Sequence, residues 1–128
     1  MRSKAYRIDI VPIACARVMR NANRSYDALT RDKVSFGLYL AQQHNDEPFF
    51  DKPVHLDVTF YMPIPKQLKE RSDSVYHFAV PFIDNLWRFF IDAIKDIVIS
   101  DERVICSFSA KKVYDKEPRT ELIITEVM

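Results

Sequence analysis

Val54, Leu56, Val58, Phe60 and Met62 alternate with His55, Asp57, Thr59 and Tyr61 until Pro63 and Pro65 close the run. A period of two is what a strand with one buried face requires, and proline cannot donate into the ladder that would continue it. A different period follows. Leu86, Phe89, Phe90, Ala93, Ile94 and Ile97 recur at three- and four-residue steps, with Asp84, Arg88, Asp92 and Lys95 on the opposite side. That stripe predicts a helix from about Asp84 to Val98. Trp87 and Ile91 widen its apolar side toward another layer or a partner subunit.

The remaining elements arrange themselves around this pair. Lys4 to Ile13 reads as a strand, because Tyr6, Ile8 and Ile10 alternate with Arg7 and Asp9. Arg17 to Ser25 is polar and reads as a loop. A helix should start near Ser25 or Asp27, both good caps, and end before Asn45. Its apolar side would combine Leu29, Phe36 and Leu40 with Val34, Leu38 and Ala41. Lys66 to Phe78 has no sustained period and reads as a mobile loop, with a helical turn at Gln67 to Arg71. After a turn at Ser100-Asp101-Glu102, strands at Arg103 to Tyr114 and Thr120 to Val127 flank a turn at Asp115 to Pro118. That spacing suggests an antiparallel hairpin. The order β-α-β-α-β-β predicts an α+β two-layer sandwich, with both helices on one face of a mixed four-stranded sheet.

Bulk properties narrow the function classes. The 128 residues fit one domain, 1–128, and 48% hydrophobic residues suffice for its core. The single glycine, Gly37, argues against Gly-rich phosphate loops. Net charge is +1, so the overall balance gives no sign of nucleic acid, although Arg2, Lys4, Arg7, Arg17, Arg20, Arg24, Arg31 and Lys33 bias the first third toward a phosphate-facing patch. Cys15 and Cys106 have no metal spacing, and Cys106 is expected to be buried in an apolar run. With no apolar signal core and no membrane-length segment, a cytoplasmic protein without membrane contact is expected.

Chemistry has few places to sit. Asp84 opens the second helix and Asp101 follows it. A helix of about 14 residues spans about 21 Å, so the two acids can meet only if the chain after Val98 folds back along it. Spacing alone implies no shared metal. Asp84 also suits an N-cap, Asp101 a turn, and Asp92 a surface pair with Arg88 or Lys95. His77 is a lone loop histidine. Lys111 and Lys112 are neighbours on a strand, so they point to opposite faces and only one can reach a given phosphate.

The run from Tyr76-His77 through Pro81-Phe82-Ile83-Asp84-Asn85-Leu86 resembles the signature of the RusA-like Holliday junction resolvases, which reads as a histidine, basic residues, then Pro-Asp-x-Asp-Asn-Leu. Asp92-Ala93-Ile94 is similar to that family's Asp-Ala-Leu, Ser100-Asp101-Glu102-Arg103-Val104 to its Asp-Asp-x-x-Val turn, and Ser109 to Thr125 to its closing basic hairpin. Ala16-Arg17-Val18 and Tyr26 resemble its Arg-rich loop and following aromatic. The resemblance implies a homodimeric, Mg²⁺-dependent endodeoxyribonuclease acting on four-way or branched DNA, of a kind often encoded by phages or prophages. It implies Asp84 and Asp101 as metal ligands and places Arg88 where the family has a catalytic lysine. Arg17, Arg20, Lys111, Lys112 and His77 become the expected DNA contacts.

This sequence departs from the pattern in three ways. The first motif acid is Phe82, which cannot ligate a metal. The basic residues before it are Phe78, Ala79 and Val80. Arg88 keeps the charge of the family lysine but does not readily exchange a proton. A working nuclease, with Asp92 or Glu102 supplying an oxygen, therefore competes with a catalytically inactive relative that binds branched DNA or a protein partner. It also competes with an unrelated binding module whose acids are only a cap and a turn.

Overall fold

A computed structural model describes residues 1–14, 22–65 and 76–127 of the chain. Strand β1 (Ser3–Ile8), helix α1 (Ala22–His44), strand β2 (Val54–Pro63), helix α2 (Ile83–Ile94), strand β3 (Ile105–Asp115) and strand β4 (Arg119–Glu126) follow in the predicted order. The expected turn at Gln67 to Arg71 and Cys15 lie outside the described residues.

The sheet order is β1-β4-β2-β3. β2 pairs antiparallel with β4 and parallel with β3, and β1 pairs antiparallel with β4. The expected β3–β4 hairpin is therefore replaced by an insertion, with β2 lying between the two. The physical reason is burial. Val54, Leu56, Val58, Phe60 and Met62 are all within 3% of full burial, so β2 gains most from a neighbour on each side. β3 carries Ser107, Ser109, Lys111 and Lys112, with only Val113 buried, and tolerates an edge. Parallel pairing of β2 with β3 requires a long crossover, and α2 provides it.

Residues directly paired across strands share a face, so register sorts the side chains. Tyr6, Leu122, Val58 and Ala110 lie on one face, together with Phe60 and Lys112. Both helices cover this face. Phe90 of α2 meets Phe60 and Phe36 edge-on, and His44 of α1 stacks on Tyr6. Burying aromatic side chains such as Phe36, Phe89 and Phe90 contributes about 1.5–3 kcal/mol each. The opposite face is polar. There His55 Nδ1 bonds Ser107 Oγ at 2.7 Å, and Ser109 Oγ donates to Asp57 Oδ1 at 3.2 Å. Cys106 is exposed rather than buried, a consequence of β3's edge position.

Helix α1 begins at Ala22, ahead of Ser25 and Asp27. Phe36 and Leu40 are buried, whereas Val34 and Leu38 are 59% and 65% exposed and Ala41 is exposed too. α1 also packs closely on the turn after α2, where a Cβ on Gly37 would come within 2.8 Å of Ile97 Cδ1. No helix among the described residues is long and apolar enough to cross a membrane.

Helix α2 stops at Ile94, earlier than its apolar stripe suggested. Lys95 is extended and Asp96 adopts a left-handed φ of 66°, within a turn in which Ile97 N–H and Val98 N–H both donate to the Ile94 carbonyl, at 3.2 and 3.0 Å. This β-branched segment docks beside Phe50, whose N–H donates to the Val98 carbonyl at 2.8 Å. The Phe50 carbonyl accepts from Ser100 N–H at 3.3 Å. Val98 and Ile99 are fully buried, so Ile97 to Ser100 is locked in place.

His44 is buried, and its Nδ1 shares a 2.6 Å hydrogen bond with the Tyr6 hydroxyl. Burial pushes the Tyr6 hydroxyl up to about 12, so it stays a donor. Burial, and then the Lys4 cation, lower the His44 pKa, so the folded protein favours neutral imidazole. The unfolded chain takes up that proton near pH 6.5, so this contribution to stability is present above about 6.5 and is lost as pH falls. The urea midpoint is expected to drop between pH 7.5 and pH 5.5, and the drop should shrink in His44→Gln. An equal drop in both proteins would contradict this.

Candidate functional site

The segment before α2 is built against β3. Tyr76 bridges Val113 in antiparallel fashion, and His77 N–H donates to the Lys112 carbonyl at 3.0 Å. Lys112 lies on the helix-covered face, where its Nζ donates to the carbonyls of Ala79 at 2.6 Å and Pro81 at 2.7 Å. One lysine thus clips both ends of a bend that has no regular hydrogen-bonding pattern of its own. The His77 ring packs against Tyr114 with 5.0 Å between centroids. Burial, and then the Lys112 charge, hold His77 below the ordinary histidine range, so it is neutral at neutral pH. Burial also lowers the Lys112 pKa.

The bend delivers Asp84 to the start of α2, although not as its cap. Phe82 is the N-cap residue and makes no side-chain cap bond, while Asp84 lies in the first turn. Asp84 Oδ1 accepts from Asn85 N–H at 3.0 Å, and the carboxylate is exposed. A carboxylate in a first turn is favoured by the helix dipole. Phe82 is 51% exposed and precedes this acid by two residues.

Arg88, one turn further on, is the junction of the site. Its guanidinium meets Glu102 at 2.8 Å and Asp92 at 3.6 Å, and Asp92 in turn meets Lys33 of α1 at 3.5 Å. The Arg88–Glu102 contact joins residues 14 apart and demonstrates the fold-back. After the turn at Asp96 to Val98, the chain returns to Arg88 of α2. Asp101 sits in this return as the cap of a short 3-10 turn, Glu102–Val104. Its Oδ1 accepts from Arg103 N–H at 2.8 Å and Arg103 Nε at 3.3 Å. The Arg103 amide, more than its guanidinium, holds the Asp101 carboxyl below its usual range. Asp101 is therefore ionised at neutral pH.

The predicted residues divide accordingly. Asp84, Arg88, Lys112 and His77 gather at the α2 N-terminal half and the neighbouring part of β3. Asp101 lies in the returning segment, next to Glu102. Lys111 is exposed on the opposite face of the sheet, as its parity with Thr59 requires. Arg17 and Arg20 lie outside the described residues. Lys112, expected to contact DNA, donates from its amino group to two carbonyls of the bend. Among the described residues, no group of three or more His, Cys, Asp or Glu side chains converges to hold a metal. The donors at hand are hard carboxylate oxygens. Their chemistry suits Mg²⁺ held by one or two carboxylates with substrate phosphate completing the shell, rather than a protein cage.

Sequence reasoning noticed Glu102 only as a spare oxygen, and its pairing with Arg88 depends on a fold-back that no local pattern encodes. The role of Lys112 was half legible. Alternation on β3 predicts that Lys111 and Lys112 diverge, but not which of them faces α2.

Two comparisons bear on this geometry. The Bacillus subtilis protein named "Uncharacterized protein YqaN" is 30% identical over 96 residues, covering 69% of this chain and 68% of the relative. The sequence profile described as "Endodeoxyribonuclease RusA" matches residues 11–125, which include every element from α1 to β3 and almost all of β4. The chain belongs to the RusA endodeoxyribonuclease family, a family of Holliday junction resolvase-like nucleases.

Proposed function

We propose that this protein is a structure-specific endodeoxyribonuclease that hydrolyses phosphodiester bonds in Holliday junctions or other branched DNA, with Mg²⁺ as cofactor. The observation that carries this reading is the fold-back that sets Glu102 on Arg88 and brings the Asp101 segment to the helix whose first turn carries Asp84. Asp84 and Asp101 would hold the ion, and Glu102 is the nearest further carboxylate on the returning chain. When bound, Mg²⁺ supplies an activated water and offsets charge on the phosphate.

The chain's own groups have separable roles in this reading. Arg88 is charged at every working pH and orients toward the scissile phosphate while Glu102 and Asp92 fix its guanidinium. It does not replace the family lysine as a proton carrier. Neutral His77 packs on Tyr114 and shapes the approach to Asp84. Arg17 and Arg20 supply phosphate contacts along the DNA arms. The protein acts as a homodimer in the cytoplasm, and a phage or prophage origin suits it.

A second reading has its own observation. Phe82 occupies the place of the first motif acid and is half exposed, and no three-ligand cluster forms among the described residues. A binding-only relative that holds branched DNA or a protein partner without cutting it fits those two facts.

Labelled four-way junctions incubated with Mg²⁺ or Mn²⁺ separate the readings. The nuclease reading predicts cleavage that falls by more than about 100-fold in Asp84→Asn, with junction binding retained. Intact junctions with either metal, from protein that still binds them, establish the second reading instead.

Salt dependence tests the assignment of the cations. Each phosphate contact contributes about 0.9 to the slope of log K against log salt. Arg17→Ala and Arg20→Ala should each flatten the slope by about one, and Lys111→Ala should leave it unchanged because Lys111 lies on the far face. A flatter slope in Lys111→Ala alone would reverse the assignment.

A further inference from the structure

We propose that Phe78 and Val80, with Phe82 behind them, form an apolar wedge that inserts between unstacked bases at a DNA branch point. This rests on the branched-DNA reading above and names what that site recognises. Phe78, Val80 and Phe82 are 75%, 71% and 51% exposed, which is unusual for three apolar side chains on one short bend. The residues between them, Ala79 and Pro81, have their carbonyls clipped by Lys112 Nζ at 2.6 and 2.7 Å. Phe78 is braced edge-on by Tyr114 at 6.4 Å. The root of the bend is therefore held, while its apolar side chains project.

Three features point to bases as the occupant. First, Phe82 leads directly into the turn that carries Asp84. A strand whose phosphate lies at Asp84 therefore has its neighbouring nucleotides within reach of the bend. Second, the bend offers only on the order of 400 Å², from two partly exposed phenylalanines and a valine. A specific protein interface needs about 800 Å² per partner, so the patch is too small for a second copy or another protein on its own. Third, base stacking on aromatic side chains is sequence-tolerant, and apolar side chains open base steps where the duplex is already unstacked. A branch point meets that condition and a continuous duplex does not. The wedge therefore supplies preference for structure without demanding sequence. It also gives a role to the apolar residues that stand where the family has basic ones.

The test uses the full chain in Ca²⁺, with a four-way junction and a linear duplex of the same sequence. A 2-aminopurine at the branch point reports base stacking. Wild-type protein should bind the junction more tightly and change the 2-aminopurine fluorescence. Phe78→Ala/Val80→Ala removes two exposed side chains and leaves the Lys112 clip intact. It should lose about ten-fold or more of junction affinity, keep its duplex affinity and salt slope, and abolish the fluorescence change. Unchanged junction preference in the double variant overturns the wedge and leaves the branched-DNA reading standing. Absence of junction preference in the wild type overturns both. A double variant that falls apart from dimer to monomer assigns the bend to contact between copies and overturns the wedge.

Discussion

The parallel pairing of β2 with β3 is the constraint on which the rest of the molecule depends. A strand as apolar as β2 takes the interior of the sheet, and its parallel neighbour can be reached only by a chain that crosses the sheet and returns. α2 is that crossing. Its amphipathic face seals the core through Phe89, Phe90 and Ile94, and its first turn is left at the β3 edge with Asp84 exposed. The turn after Ile94, fixed to Phe50 through Val98 and Ser100, then carries Asp101 and Glu102 back toward Arg88. A hairpin between β3 and β4 would have removed the need for this arrangement.

Charge inside this frame is heavily committed. Lys33, Asp92, Arg88 and Glu102 form a continuous chain of ion pairs that links α1, α2 and the returning segment. Each pair is partly exposed and contributes little to stability by itself. Their value lies in position: Glu102 and Asp92 hold the Arg88 guanidinium between them. Lys112 does the same for the bend before α2. Its amino group satisfies two carbonyls that a bend without regular pairing would leave to solvent, so its charge organises the chain there.

Local pattern carried much of the fold and less of the site. The alternation from Val54 to Met62 and the stripe from Leu86 to Ile94 are intrinsic to one segment each, and both were legible. The order of strands was not, because pairing depends on competition between β3 and β4 for β2. The end of α2 was not legible, because Ile97 continues the helical stripe although the left-handed Asp96 turns the chain out of the helix before it. Val34 and Leu38 matched a helical apolar side yet face solvent, since α1 contacts its neighbours along the narrower Phe36–Leu40 seam. Asp84 and Asp101 were visible as residues. Their relation was not, since it passes through Glu102 and Arg88, which meet only in three dimensions.

In the proposed nuclease reading, this fold-back makes one ion site from two distant stretches of sequence. Titrating the protein with Mn²⁺ and following backbone amide resonances tests it most directly, because a paramagnetic ion broadens only nearby signals. The account predicts that Asp84-Asn85 and Asp101-Glu102 broaden together, at the same Mn²⁺ concentration, and that both effects vanish in Asp84→Asn. Broadening confined to one of the two stretches, or spread evenly over the surface acids, would contradict it.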